Sequence, residues 1–145
     1  MKEFDYVDML VKMQEIRLFA SINVRRTKKG KLTSSQELDI LSRIVLADSP
    51  MTPMDLSLMT GLSKSSVSQL IDKLEKKNFL TKEYSSQDKR SYILLSTDKG
   101  KTELEMTYRY YLEPIYKLRK TIGEERFETL IEKIREANDL LQNRR

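Results

Sequence analysis

The spacing of apolar residues along this chain changes period twice, and nothing else in the sequence limits the fold so tightly. From Ser34 to Lys77 they recur at helical intervals, as Leu38, Leu41, Ile44 and Val45, and again as Val67, Leu70, Ile71 and Leu74. Each set places one buried stripe on a helix. From Phe79 the period falls toward two, so Leu80–Tyr84 and Tyr92–Leu95 read as paired strands around a turn, Ser85 to Ser91. After Thr97 helical spacing returns. The predicted fold is therefore mainly α with one small β-hairpin.

Start and stop signals divide the helical stretches. The first, from about Phe4 to Val24, is apolar on more than one side and wants partners on more than one face, within a core or shared between two copies. A basic run follows, Arg25 to Lys31, read either as a solvated connection or as a phosphate contact. Ser34 opens the second helix, with Glu37 placed for a reciprocal cap, and the helix stops near Asp48-Ser49-Pro50. Thr52 with Pro53 starts a short third helix, ending near Thr60-Gly61. Ser63 caps a fourth, to about Lys77, and Asn78 ends it in a left-handed cap. Thr97 caps a fifth, to about Lys120, in which Pro114 predicts a kink near Tyr110 to Glu113. After Gly123 the last helix runs from Glu124 to about Asn143, with acids in its first turn.

Two absences narrow the chemistry. The 145 residues contain no cysteine and no histidine. Disulfides, thiol switches and thiolate metal sites are thereby excluded, as is a Ser-His-Asp mechanism. The commonest general base and transition-metal ligand is also missing. The chain is read as no enzyme, with no cofactor and no metal. It has no apolar run of membrane-spanning length and its start lacks a secretory pattern, so no membrane partner and a cytoplasmic location are expected. A formal charge of +5 points weakly toward a polyanionic partner.

Two helices joined by a short glycine-bearing turn, the second longer and amphipathic, make a helix-turn-helix outline. Ser57 lets the helices approach, Gly61 takes the turn, and Leu62, Val67 and Leu70 face inward. The run Leu74, Lys77, Asn78, Phe79, Leu80, Lys82, then Asp88, Lys89 and Arg90, then Leu95-Ser96-Thr97-Asp98-Lys99-Gly100 resembles the MarR family of winged-helix regulators. The similarity is strong from about Thr52 to Gly100, and the Asp-x-Arg wing at this distance from the recognition helix is its most specific part. Three positions depart from the family pattern. Asn78 replaces a glycine, Lys82 replaces an arginine, and the wing lacks a proline. Of these only Lys82 lies on the predicted reading surface, where arginine's bidentate geometry is lost.

The resemblance implies a winged helix-turn-helix fold with N- and C-terminal dimerisation helices, divided as residues 1–33, 34–97 and 98–145. It implies a homodimer on double-stranded DNA, sequence-specific and acting as a transcriptional regulator. Two recognition helices entering successive major grooves, roughly 34 Å apart, would read a near-palindromic operator. Lys64, Ser65, Ser66, Ser68 and Gln69 then lie at the start of the recognition helix, with Lys73 reaching the DNA backbone. Gln69 is the base reader, since its amide can pair bidentately with adenine. The serines and Lys64 hold phosphate and set register. At the wing, Arg90 enters the minor groove beside Lys89, oriented by the Asp88 carboxylate.

Family members commonly release DNA on binding small aromatic or anionic ligands, so the resemblance also implies a repressor released by an effector. Phe19, Tyr108, Tyr111 and Tyr116 are its candidate pocket, or else dimer core. Two other readings use the same residues: a DNA-binding activator or architectural protein without ligand control, and a winged helix turned protein-interaction module.

Overall fold

A computed structural model describes residues 6–26 and 32–143. The expected helix start at Phe4 and most of the basic run, Thr27 to Lys31, lie outside the described residues. Six helices and one hairpin follow in the order α1 (Tyr6–Asn23), α2 (Ser35–Leu46), α3 (Pro53–Thr60), α4 (Lys64–Lys76), β1 (Leu80–Tyr84), β2 (Tyr92–Ser96), α5 (Asp98–Ile122) and α6 (Glu124–Asn143). The chain divides into two compact units, one of Arg26–Tyr110 and the other of Met1–Arg25 with Tyr111–Arg145.

In the first unit the helical stripes and the inward face of the hairpin build one core. Ile40, Leu41 and Ile44 of α2, Leu56 of α3, and Val67, Leu70, Ile71 and Leu74 of α4 meet Phe79, Leu80 and Leu94. The strands pair antiparallel, with Leu80 opposite Ser96 and Tyr84 opposite Tyr92. Met51, just before α3, adds an isolated bridge to β2, its carbonyl accepting from the Leu94 amide at 2.8 Å.

The caps explain where the elements stop. Ser34 accepts from the Glu37 amide at 3.1 Å. The reciprocal bond to the Ser34 amide is not made: Glu37 Oε1 accepts from the Ser34 hydroxyl at 3.4 Å instead, and Oε2 pairs with the Lys77 ammonium at 2.6 Å. A two-way cap forms instead at α3. There the Asp55 amide donates to Thr52 Oγ1 at 3.2 Å, and the Thr52 amide donates to Asp55 Oδ2 at 3.0 Å. At the end of α4, Asn78 adopts φ 65°. The Phe79 amide then reaches back to the Leu74 carbonyl at 3.0 Å and the Asn78 amide to Glu75 at 2.9 Å. These are the two bonds of a Schellman ending, and Phe79 and Leu74 supply its buried apolar pair.

The wing-bearing unit extends into α5, past the expected boundary at residue 97. Thr97 Oγ1 donates to the Asn78 carbonyl at 2.6 Å and accepts from the Gly100 amide at 3.0 Å. A Cβ at Gly100 would lie 2.1 Å from the Phe79 carbonyl oxygen, so only glycine permits this approach. Further along, buried Glu103 accepts from Thr33 at 3.2 Å. α5 continues as helix through Pro114.

The second unit holds α1, the rest of α5 and α6, and it buries little. α6 has no buried residue and α1 only Asn23. Leu10, Val11, Met13, Ile16, Leu18 and Ile22 of α1 are all between 42% and 70% exposed.

Candidate nucleic-acid interface

α4 follows α3 after a turn whose geometry is well bonded. Gly61 sits at φ 72°, its amide donating to the Ser57 carbonyl at 3.0 Å. Ser57 Oγ donates to the Leu62 carbonyl at 2.8 Å, so this small residue both permits the close approach and ties the turn. With Val67, Leu70, Ile71 and Leu74 buried, helical spacing leaves Ser65, Ser68, Gln69, Asp72, Lys73 and Lys76 outward, and all six are exposed.

Of the expected DNA contacts on this helix, Lys64, Ser65, Ser68, Gln69 and Lys73 are exposed. Ser66 is half-buried and already engaged. Its amide donates to Ser63 Oγ at 3.1 Å and its hydroxyl accepts from the same group at 3.0 Å, so it completes the cap. The first turn of α4 carries no acid. Its positive dipole end is thus left uncompensated beside Lys64, which favours a bound phosphate.

The wing turn is shaped by short side chains. Ser85 Oγ accepts from the amides of Gln87 at 3.2 Å and Asp88 at 3.4 Å. Asp88 Oδ1 accepts from the Arg90 amide at 3.0 Å, whereas Arg90 Nε is 3.7 Å away. The carboxylate therefore orders the backbone that carries Arg90 more than the guanidinium itself. An ion pair this exposed contributes under about 1 kcal/mol. The Arg90 side chain is 95% exposed and projects from the tip next to exposed Lys89.

Lys82 is not on the outward reading surface as expected. Alternation along β1 turns it inward with Leu80, and its side chain is only 12% exposed. The ammonium lies 2.9 Å from Asp72 Oδ1 and 3.5 Å from Glu75 Oε1, both on α4, and 5.1 Å from the centre of the Tyr92 ring. The hydrogen bond with Asp72 is the main cause holding its pKa above the usual lysine value, against the opposing effect of burial. Burial likewise raises the Tyr92 phenol. In the sequence Lys82 reads only as a lost arginine. A charged residue at an inward position of an alternating strand was the available signal.

Phe19 borders an apolar cleft of about 1190 Å³ in the second unit, along with Ile16, Ile22, Pro114, Leu118 and Ile134. None of Tyr108, Tyr111 and Tyr116 lines it. Tyr111 is buried and Tyr116 half-exposed, with the Arg119 guanidinium 5.7 Å from its ring centre. Tyr108 lies in the other unit, with Arg109 against its ring.

A family model described as MarR family matches residues 32–91, from the lead-in to α2 through the wing turn. The chain is similar to YcgE, an uncharacterised HTH-type transcriptional regulator of Bacillus subtilis (strain 168). Identity is 29% over 105 residues, 72% of this chain and 68% of the relative. Among solved structures it resembles the PcaV transcriptional regulator of Streptomyces coelicolor in complex with its natural ligand. The TM-score is 0.68 at 18% identity, over 96% of this chain and 98% of that one. It also resembles a mutant MarR of E. coli complexed with operator DNA, with a TM-score of 0.61 at 17% identity, over 90% and 94% of the two chains. At these identities the two structures speak for the fold, while the matched residues speak for the family. With a glycine-turned helix pair, an outward polar face on α4 and a hairpin wing behind it, the segment 32–91 matches the MarR family, and the chain is similar to an HTH-type transcriptional regulator.

Proposed function

We propose that the protein acts as a homodimeric repressor in the cytoplasm, reading a near-palindromic duplex operator through α4 and the wing and releasing it on binding a small effector. One observation carries the reading of the site. The outward side chains of Lys64, Ser65, Ser68, Gln69 and Lys73 gather on one exposed face, and Arg90 extends from the wing nearly free of the protein surface. In this reading Gln69 contacts a base edge, Lys64, Ser65, Ser68 and Lys73 contact phosphates, and Arg90 with Lys89 enters the minor groove. Ser66 serves by holding the helix start, and Asp88 by shaping the turn.

The dimer is supported by the apolar surface of α1. Covering the exposed part of Leu10, Val11, Met13, Ile16, Leu18 and Ile22, about half of each side chain, contributes about 5–10 kcal/mol in all, within the range of an association cost of about 4–15 kcal/mol. Effector control is supported by PcaV having been solved with its natural ligand. A titration of phenolic acids tests it. A shift in melting temperature and release of bound duplex are expected, and neither effect across the panel would contradict it.

The DNA reading is tested by duplex affinity against salt. A dimer neutralising about eight phosphates gives a slope of log affinity on log salt near −7. A protein-interaction module would bind duplex weakly and with little salt dependence.

A further inference from the structure

We propose that Lys82 is a positioning residue for DNA recognition: from β1 it cancels the charge of Asp72, a carboxylate that shares α4 with the reading residues. The inference rests on the reading in which the outward face of α4 meets DNA.

The hairpin's alternation sets the direction. Leu80, Lys82 and Tyr84 share one face of β1, and opposite them stand Ser96, Leu94 and Tyr92. Leu80 and Leu94 on this face belong to the core. An ammonium beside them is tolerated because it is paired, lying over the Tyr92 ring and against Asp72 and Glu75. Only 12% of the Lys82 side chain is exposed, which leaves little of it to reach a phosphate.

The charge on α4 gives this pairing its consequence. The helix carries three lysines and two acids. Asp72 lies three residues after Gln69 and four before Lys76, so it neighbours both on the helix surface. A bare carboxylate there would repel the same phosphates that Lys73 and Lys76 attract. Lys82 cancels that charge from behind, without occupying the outward face.

A double-mutant cycle decides the matter, using a fluorescein-labelled duplex of about 30 base pairs that the wild-type protein has enriched from a random pool. Lys82→Met is expected to weaken binding about tenfold while leaving the salt slope unchanged. Adding Asp72→Asn in that background is expected to restore affinity to within about twofold of wild type. Wild-type affinity in Lys82→Met alone would overturn the proposal. So would a loss that persists in the double variant with a slope shallower by about one, the signature of a direct phosphate contact. Should Lys82→Met not fold, the neutral pair Lys82→Gln with Asp72→Asn serves in its place. Binding within about twofold of wild type supports the proposal, and a tenfold loss overturns it. If the wild-type protein enriches no duplex at all, the DNA reading itself fails and the inference with it.

Discussion

Gln69 and Lys73 lie about one turn apart on the exposed face of α4, and their chemistry separates their roles. An amide offers a donor and an acceptor side by side and so can match one base edge; an ammonium is a donor-only point charge, here placed a turn further along to meet phosphate. Gln69→Ala is therefore expected to cost about 1–3 kcal/mol and to relax preference at one position in each half-site. Lys73→Ala is expected to weaken all sequences alike and to make the salt slope shallower. Titrations against single-base variants of the bound duplex separate the two, and the opposite pattern would exchange the roles. At the wing, the Asp88 carboxylate binds the Arg90 backbone amide at 3.0 Å and holds the guanidinium only by an exposed ion pair at 3.7 Å.

The junction of α4 with the hairpin is the element on which this geometry turns. Asn78 takes the left-handed cap, Phe79 fills the core behind it, and Gly100 at the start of α5 lies against the Phe79 backbone. Gly100→Ala brings a Cβ within 2.1 Å of a carbonyl oxygen that cannot swing aside as a side chain would. It is expected to destabilise the fold by about 1–3 kcal/mol, read as a lower denaturant midpoint. An unchanged midpoint would show that the strand end has room to shift. Helix order, caps at Ser34, Thr52, Ser63 and Thr97, the Asn78 ending and the hairpin were all legible from local spacing, because each is decided within a few residues. What was not legible depends on partners distant in sequence. Glu37 reads locally as half of a cap, yet Lys77, forty residues on, takes its carboxylate. Lys82 reads as a surface cation until the hairpin turns it toward α4. The aromatic residues expected at a pocket do not all share one helix face. Tyr111 and Tyr116 are five residues apart, roughly 140° around a helix, and point to different surroundings.

For the whole molecule, two features of the chain combine. One unit has a core of its own and an outward basic-polar face; the other leaves the apolar side chains of α1 and α6 exposed in a single copy. A second copy covering that surface would present two α4 helices related by a two-fold axis, and such a pair reads a sequence followed by its own inverted repeat. Selection of bound fragments from random duplex DNA is the most direct test. The account predicts enrichment of two inverted half-sites with centres about 10 base pairs apart, one helical turn. Recovery of a single unrepeated site, or of no enriched sequence at all, would contradict it.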